Sequence, residues 1–455
     1  MIPRLILWLA VLTAGSSLAA AEPASAPGFT YVKSLGGIDE YRLDSNGLQV
    51  LLKPDHSAPV VTLNVTFRVG SRNEVTGTTG ATHLLEHMMF KGSDAFNDTK
   101  GNSVKQYLER VGGSYNATTW LDRTNYFATV GKAHLAGYLA IEADRMRHLW
   151  LHAEDLASEM TVVRNEYERG ENNPGSALEK VVNATAFQAQ PYHHDTIGWR
   201  SDIEKIRVDK LREFYDTFYW PNNATVVIVG DFDPTETLNL VKQAYGVYPS
   251  SPKPIPEMTT EEPEQEGARR VVLKRPGQLG TILIAFKSVP ATHPDFAALD
   301  VLSTILSSGK NSRLYRALVD KGIATNAGAG PLPTHDPGLF TVKASLAPGA
   351  THDQAEQVIL AELEKVKRDG VTADEVARAL RQQKVATAFG RDGSARIASA
   401  LNEWIAAGDW TLFVNYDDAV AKVTPADVQR VAAKYLDADR STTGWFIPLV
   451  PAAKK

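Results

Sequence analysis

The sequence of 455 residues contains no cysteine. Disulfides therefore cannot stabilise this fold, and a metal site would have to be built from histidine and carboxylate ligands. A strong charge of one sign is also missing, because 48 Lys and Arg stand against 53 Asp and Glu, for a net charge of −5. A chain with this charge has no general attraction for nucleic acid, so no nucleic-acid partner is expected.

Long apolar runs are missing beyond the N-terminus, as are the G-x-S-x-G and P-loop motifs of serine hydrolases and nucleotide-binding enzymes. The N-terminus carries Arg4, an apolar run over residues 5–14 and an A-x-A site at residues 19–21. This order is typical of a secretory signal peptide, and the run is shorter than the ~20 residues of a membrane span. We expect residues 1–21 to be cleaved and the mature protein to be periplasmic, without a membrane span; an uncleaved anchor is the alternative.

The segment YPSSPKPIPEMTTEEPEQEG, residues 248–267, has the composition of an extended linker. On each side of it the same order occurs: a strand, a turn, an alternating strand that reaches Phe67 or Phe286, a loop and a helical pattern. This repetition indicates a duplicated unit. We predict an α+β clamshell of two homologous halves, residues 28–249 and 269–450, joined by a linker at residues 250–268.

Residues 83–87 read His-Leu-Leu-Glu-His. On a helix, His83, Glu86 and His87 fall within an arc of roughly 100°, so two imidazoles and a carboxylate share one face. Two imidazoles suit Zn²⁺, and in the H-x-x-E-H order the glutamate serves as a base toward water. The alternative is an ordinary polar stripe. Counted from the two phenylalanines, the second half has at these positions Leu302, Ile305 and Leu306. That asymmetry favours chemistry in the first half only.

A third ligand is predicted in LASEMTVVRNEYERGENNPG, residues 156–175, which reads as a helix. Glu159 and Glu166 are seven residues apart, and Val163 lies between them on the same face, which indicates that this face turns inward. We assign Glu166 as the third ligand and Glu159 as a carboxylate that orients a histidine. Glu171 points elsewhere and is expected to be solvated. The alternative is an ordinary charged helix face.

A second group of metal-competent side chains is formed by His193, His194 and Asp195. Adjacent histidines cannot lie on one face of a helix, so this segment is interpreted as loop structure and not as a metal site.

Five segments, in this order, resemble the insulinase/pitrilysin metallopeptidases, in particular their short processing peptidase-like branch: THLLEHMMFKG, GGSYNATTWLDRTNYF, EMTVVRNEYERGENNP, HHDTIGWRSDIEKI and PNNATVVIVGDFDP. The resemblance covers nearly the whole mature chain and implies a zinc endopeptidase. It implies Glu86 as the catalytic base, Glu159 as the supporting carboxylate, and three zinc ligands, which are His83, His87 and Glu166.

The resemblance also gives a role to GGSYNATTWLDRTNYF. Taken alone, this segment reads as a Gly-Gly turn followed by a plain edge strand. In the family, the matching strand binds the substrate as an added β-strand, with the scissile bond beside Asn116 and Ala117. Pairing through the backbone demands little of the peptide's sequence.

One departure from the family concerns the second half. Active single-chain relatives have an arginine and a tyrosine that hold the substrate and the oxyanion; the matching positions here carry Val319 and either Thr325 or Asn326. Some family members are two-chain enzymes in which a catalytically empty sister chain supplies that pair. We expect a heterodimer of this kind; a homodimer is disfavoured because neither copy would bring the pair. The rival interpretation is a catalytically inactive structural subunit of the same fold.

Overall fold

The computed structural model describes residues 24–449, so the predicted signal peptide lies outside the described residues. The strands are β1 (Phe29–Leu35), β2 (Ile38–Leu43), β3 (Gln49–Pro54), β4 (Val60–Phe67), β5 (Ser114–Thr119), β6 (Thr124–Gly131), β7 (Ala224–Gly230), β8 (Arg269–Pro276), β9 (Thr281–Lys287), β10 (Ala324–Pro331), β11 (Leu339–Leu346) and β12 (Ser441–Leu449).

The helices are α1 (Ala81–Met88), α2 (Val104–Val111), α3 (Leu135–Arg147), α4 (Ala153–Asn172), α5 (Pro174–Ala186), α6 (Arg200–Ile203), α7 (Val208–Phe218), α8 (Pro234–Tyr245), α9 (Phe296–Ser307), α10 (His352–Asp369), α11 (Ala373–Gly390), α12 (Ser394–Ala407), α13 (Leu412–Ala421) and α14 (Pro425–Tyr435). Within residues 24–449, none of these helices combines the length and the apolar composition that crossing a membrane requires.

The strands form two mixed sheets, one in each half of the chain. The first has the order β1-β2-β3-β7-β4-β6-β5, and the second has the order β10-β11-β9-β12-β8. Each contains one parallel pair, β3 with β7 and β8 with β12. Helices cover both faces of the central strands, which explains why β7 is buried along its whole length. The predicted α+β fold with two halves is confirmed.

The two halves exchange helices. α5, from the first half, packs Leu178 and Val182 against the second sheet, and α12, from the second half, packs Leu401 and Ile405 against the first sheet. The approach of α5 is so close that a Cβ on Gly444 of β12 would lie 2.3 Å from Val182 Cγ2. The halves are therefore interlocked through two separate apolar interfaces.

The linker between the halves contains no helix or strand from residue 250 to residue 268. It is nevertheless held in place, because the carboxylate of Glu262 accepts hydrogen bonds from the backbone N–H groups of Gln188, Ala189 and Gln190. Gln265 donates to the backbone oxygen of Ser441 on β12. The composition of this segment predicts an extended chain, and these contacts fix that chain along both halves.

The order of elements before α1 in the first half is the same as the order before α9 in the second half. In the first half, β4 ends at Phe67 and α1 follows; in the second half, β9 contains Phe286 and α9 follows. The three residues of α9 counted as equivalents of the His-Glu-His positions are all buried: Leu302, Ile305 and Leu306. Where α9 contributes to the apolar core, α1 directs polar side chains toward α4.

Candidate metal centre and peptide-binding edge

The N-terminus of α1 is capped by a buried carboxyl group, that of Glu74. Glu74 accepts hydrogen bonds from the N–H groups of Gly80 and Thr82, each at 2.8 Å, and so satisfies the first turn of the helix. Burial raises the pKa of Glu74 to about 8, against the hydrogen bonds that lower it. Gly80 has φ of 87°, and a Cβ there would lie 2.4 Å from Ile203 Cγ2, so only glycine fits at this turn. The start of α1 is thereby fixed before its polar face begins.

Three side chains converge between α1 and α4. His83 Nε2 and His87 Nε2 are 3.3 Å apart, and each lies 3.5 Å from Oε2 of Glu166. A tetrahedral Zn²⁺ with bonds of 2.0–2.1 Å separates its ligand atoms by about 3.4 Å, so these three atoms fit the ion without rearrangement. Among residues 24–449, this is the one group of His, Asp and Glu side chains whose donor atoms converge in this way.

The protonation state of His83 also suits a metal. Burial, with a smaller effect of His87, lowers the pKa of His83 to about 4, and its imidazole is therefore neutral at pH 7. The neutral ring is the form that binds metal. Its Nδ1 atom is buried and has no hydrogen-bond partner within the described part of the chain.

The second histidine is oriented by a carboxylate. Oε1 of Glu159 lies 2.7 Å from Nδ1 of His87, and its other oxygen pairs with the ammonium of Lys91. Burial raises the pKa of Glu159, but the hydrogen bonds from Lys91 and His87 outweigh burial and lower the pKa overall. Val163 is completely buried between Glu159 and Glu166, as the spacing predicts. The inward face of α4 therefore carries both carboxylates.

Glu86 lies beside this group but is not one of its three members. Its Oε2 atom accepts a hydrogen bond of 2.5 Å from Oγ1 of Thr119 on β5. Burial raises the pKa of Glu86, opposed by that hydrogen bond. The hydroxyl therefore holds one oxygen of the carboxylate and fixes its orientation.

The segment interpreted as a single edge strand forms a hairpin, and its first strand, β5, is the edge of the first sheet. The N–H of Ala117 donates to Oδ1 of Asn116 at 2.9 Å, so it points away from β6. In an antiparallel pair, alternate residues direct their backbone groups to the same side, which adds Tyr115 and Thr119 to this free edge. Among residues 24–449, β5 therefore carries both a backbone edge that no strand pairs with and the hydroxyl that contacts Glu86.

A cavity of about 270 Å³ adjoins the convergent group, and its lining includes His83, Thr119, Glu166 and Asp195. The interpretation of residues 193–195 as loop structure agrees with the structure, since a 3₁₀ turn ends at His193 and neither His194 nor Asp195 belongs to a helix or strand. The loop nevertheless reaches the site through Asp195.

The prediction that Glu171 is solvated is wrong. Its carboxylate binds Nζ of Lys180 at 2.9 Å and the guanidinium of Arg275 at 2.6 Å. Arg275 lies on β8 in the second half, more than a hundred residues away along the chain. A local pattern cannot reveal a partner that arrives from the other half.

The sequence resemblance matches Val319, and either Thr325 or Asn326, to the arginine and tyrosine of active relatives. Val319 is the last residue of a π-helical turn, Tyr315–Val319, and Thr325 and Asn326 are exposed on the edge strand β10. The nearby Arg313 is held by both carboxylate oxygens of Glu375, each at 2.8 Å.

Three residues around the centre are not predicted by the sequence patterns: Lys91, Thr119 and Glu74. Lys91 follows His87 by four residues, a spacing of about one helical turn that was available as a signal. Thr119 follows Ala117 by two residues and so shares its side of the strand. Glu74 had no such signal, because its contact depends on the loop that precedes α1.

Comparison with known proteins agrees with this geometry. The family model described as Insulinase (Peptidase family M16) matches residues 49–199, and the model described as Peptidase M16 inactive domain matches residues 205–383. The chain is 31% identical over 408 residues to the zinc protease PqqE of Helicobacter pylori, covering 89% of this chain and 91% of that protein.

A second relative is the probable mitochondrial-processing peptidase subunit beta of Arabidopsis thaliana, 27% identical over 86% of this chain and 75% of that protein. The fold matches the crystal structure of a protease from Helicobacter pylori with a TM-score of 0.86 at 31% identity, covering 91% of this chain and 100% of that chain. The names of these relatives support a zinc peptidase. The chain belongs to the insulinase family of peptidases, peptidase family M16.

Proposed function

We propose that this protein is a zinc-dependent endopeptidase that hydrolyses extended peptides in the periplasm, as the zinc-bearing subunit of a heterodimer. The observation that carries the proposal is the tetrahedral spacing of His83, His87 and Glu166, with the carboxylate of Glu86 beside them. Relatives that span nearly the whole chain are named zinc proteases. The N-terminal pattern of residues 1–21 supports export.

The chemistry follows from the side chains present. These three side chains would hold a Zn²⁺, which would supply polarisation of the peptide carbonyl and a lower pKa of a water molecule. Glu86 accepts the proton of the attacking water and delivers it to the leaving amine. Because Thr119 donates to Oε2, the proton is taken at Oε1. Glu159 accepts the Nδ1 proton of His87, which leaves the Nε2 lone pair directed toward the metal position.

The substrate is an extended peptide that adds to the free edge of β5. Backbone groups of Tyr115, Ala117 and Thr119 pair with it, and the side chain of Asn116 turns away from the N–H of Ala117 to make room. This mode selects for an unfolded segment and places the peptide alongside Thr119, which contacts the base Glu86. It makes few demands on the sequence of the peptide.

A sister chain completes the site. In this chain Val319 stands where a guanidinium is needed, and Arg313 is engaged with Glu375. Loss of one such oxyanion donor typically costs about a hundredfold or more in rate. The Arabidopsis relative is itself named a subunit, which supports a two-chain enzyme.

The missing donor also favours a second candidate, an inactive structural subunit. Zinc content and activity distinguish the two. The purified mature chain is assayed for bound zinc and for cleavage of a quenched fluorescent peptide, alone and with a related chain that carries the arginine and tyrosine. Zinc binding with cleavage that depends on the added chain is expected. Zinc-loaded chain that cleaves alone overturns the heterodimer, and absence of both zinc and cleavage establishes the structural role.

A further inference from the structure

The turn of the β5–β6 hairpin is held by the second half. Arg123 lies in this turn, and only 8% of it is exposed. One guanidinium nitrogen donates to Oγ1 of Thr118 at 2.6 Å and to Oδ1 of Asn125 at 2.8 Å, and the other donates to Oε1 of Glu403 at 2.5 Å. Glu403 belongs to α12, the helix that the second half contributes to the first sheet. A charge-assisted bond therefore crosses from the helix of one half to the hairpin of the other.

The pair belongs to a connected set of polar side chains. Asn125 on β6 donates to Oδ1 of Asn64 on β4 at 2.9 Å. Thr66, also on β4, donates to Oδ1 of Asn402 on α12 at 2.7 Å. Asn402 in turn donates to Glu403 at 3.3 Å. This set lies in the mainly apolar interface between α12 and the first sheet, and buried polar groups there are costly unless each finds its partner. In the observed placement of α12 on the sheet, each side chain of this set makes at least one of these hydrogen bonds.

The same turn is held from a second direction. Asp122 accepts hydrogen bonds from the phenol of Tyr192 at 2.6 Å and from the backbone N–H of His335 at 3.1 Å. Asp336 pairs with Arg72 at 2.5 Å. The loop between β10 and β11 of the second half thus lies against Asp122, while α12 lies against Arg123, and two consecutive residues of the turn have separate anchors.

The effect of these contacts on the candidate site depends on the alternation of side chains along β5. Successive side chains point to opposite faces of a sheet, so Thr118 lies on the α12 face and Thr119 on the α1 face. Thr118 receives Arg123, and Thr119 donates to Glu86. The second half therefore holds Thr118 through Arg123, and the next residue, Thr119, contacts the candidate base Glu86.

We propose that Arg123 is a positioning residue: clamped by Glu403, it fixes the end of β5 so that Thr119 holds Glu86 in one orientation. The inference rests on the proposed peptidase function for its effect on rate, but the clamp itself is a property of the fold. It assigns to α12, a helix of the second half, a direct part in the geometry of the candidate site in the first half.

The test compares Glu403→Ala with Ser394→Ala, both in the full zinc-loaded chain. Ser394 lies on the same helix and makes a hydrogen bond of 2.8 Å to Thr62 of the first sheet. Its loss therefore weakens the same interface without removing a contact of the hairpin turn. Amide hydrogen exchange is followed in peptides that cover residues 114–124. We expect exchange there to rise about tenfold in Glu403→Ala and to stay at the wild-type rate in Ser394→Ala.

Kinetics give the second readout. In Glu403→Ala, kcat should fall about tenfold with KM within about twofold and zinc content unchanged, because the free backbone edge at Ala117 remains available to the peptide. A double variant, Arg123→Gln with Glu403→Ala, should be no slower than Arg123→Gln alone, since both act through one path. If the double variant lost kcat by the product of the two single losses, the two residues would act independently, which would contradict the proposal.

Equal exchange at residues 114–124 in the two alanine variants would overturn the proposal, as would an unchanged kcat in Glu403→Ala. If the wild type cleaves no peptide with or without a sister chain, the proposed function fails. Amide hydrogen exchange alone then tests whether Glu403 holds Arg123 and the end of β5. Selective loss of protection at residues 114–124 then supports the proposal, and equal protection overturns it.

Discussion

Glu159 connects Lys91 to His87: one carboxylate oxygen pairs with the ammonium group, and the other lies 2.7 Å from Nδ1 of the imidazole. The histidine comes from the end of α1, the cation comes from the turn that follows this helix, and the carboxylate comes from the buried face of α4. This arrangement fixes the ring of His87 while its Nε2 atom faces Glu166 at 3.5 Å. The two helices are therefore joined by the candidate ligands and also by the contacts of Glu159 with His87 and Lys91.

The first prediction concerns Glu159→Gln. The amide accepts the Nδ1 proton less strongly and cannot pair with Lys91, so zinc affinity should fall about 10- to 100-fold. Competition with a chelator measures this affinity. Glu168→Gln, at an exposed position of the same helix, is the matched control and should bind zinc as the wild type does. Equal affinity in both variants would show that Glu159 does not support the metal.

Binding of peptide at the edge of β5 is tested by Ala117→Pro. The N–H of Ala117 points away from β6, so proline removes a donor from the free edge without removing a bond of the sheet. KM should rise about tenfold or more, with zinc content unchanged. Asn116→Ala is the companion variant, and it should leave KM unchanged or lower it, because it frees the same N–H. An unchanged KM in Ala117→Pro would exclude this edge as the binding strand.

The pair of Arg313 and Glu375 predicts a dependence of stability on pH. Hydrogen bonds from the guanidinium lower the pKa of Glu375 to about 2 from its ordinary value of 4.5. Because the folded pKa is the lower one, the stabilisation is complete above pH 4.5 and disappears as the pH falls toward 2. The group is partly exposed, so screening reduces the contribution to about 1 kcal/mol.

Glu375→Gln should therefore lower the free energy of unfolding in urea by about 1 kcal/mol at pH 7, and the difference from the wild type should vanish near pH 2. Glu364→Gln, which removes an exposed ion pair from α10, is the control and should cost about 0.5 kcal/mol or less. A difference that stays constant from pH 7 to pH 2 would contradict the ionic origin of the effect.

The exchanged helix α5 is tested at Gly444. A methyl group there would lie 2.3 Å from Val182, so Gly444→Ala should destabilise the protein by about 1–3 kcal/mol through overpacking. Gly328→Ala, on β10 and with no atom within 4 Å of the new methyl group, is the control and should be nearly neutral. Thermal unfolding measures both. A neutral Gly444→Ala would mean that α5 does not pack on β12 as described.

The parts of the site that the sequence predicts are those determined by local spacing. The four-residue separation of His83 and His87 and the seven-residue separation of Glu159 and Glu166 place each pair on one helix face, whatever the rest of the chain does. The turned-in face of α4 follows from Val163 in the same way. Such predictions need only the geometry of the helix.

The contacts that could not be predicted join residues far apart in the chain. Thr119 reaches Glu86 across 33 residues, and Arg123 reaches Glu403 across 280 residues. Neither pair leaves a periodic trace in the sequence, since each depends on how β5 and α12 pack in space. The exchange of helices between the halves is of the same kind, because an apolar helix face does not specify which sheet it covers.

The central claim is that Glu86 acts as a base beside a zinc ion held by His83, His87 and Glu166. It is tested most directly by comparing wild type with Glu86→Gln, measuring bound zinc and cleavage of a quenched fluorescent peptide in the presence of the sister chain. Both proteins should bind stoichiometric zinc, and only the wild type should cleave, with the variant slower by at least about a hundredfold. Cleavage by Glu86→Gln at the wild-type rate would contradict the account.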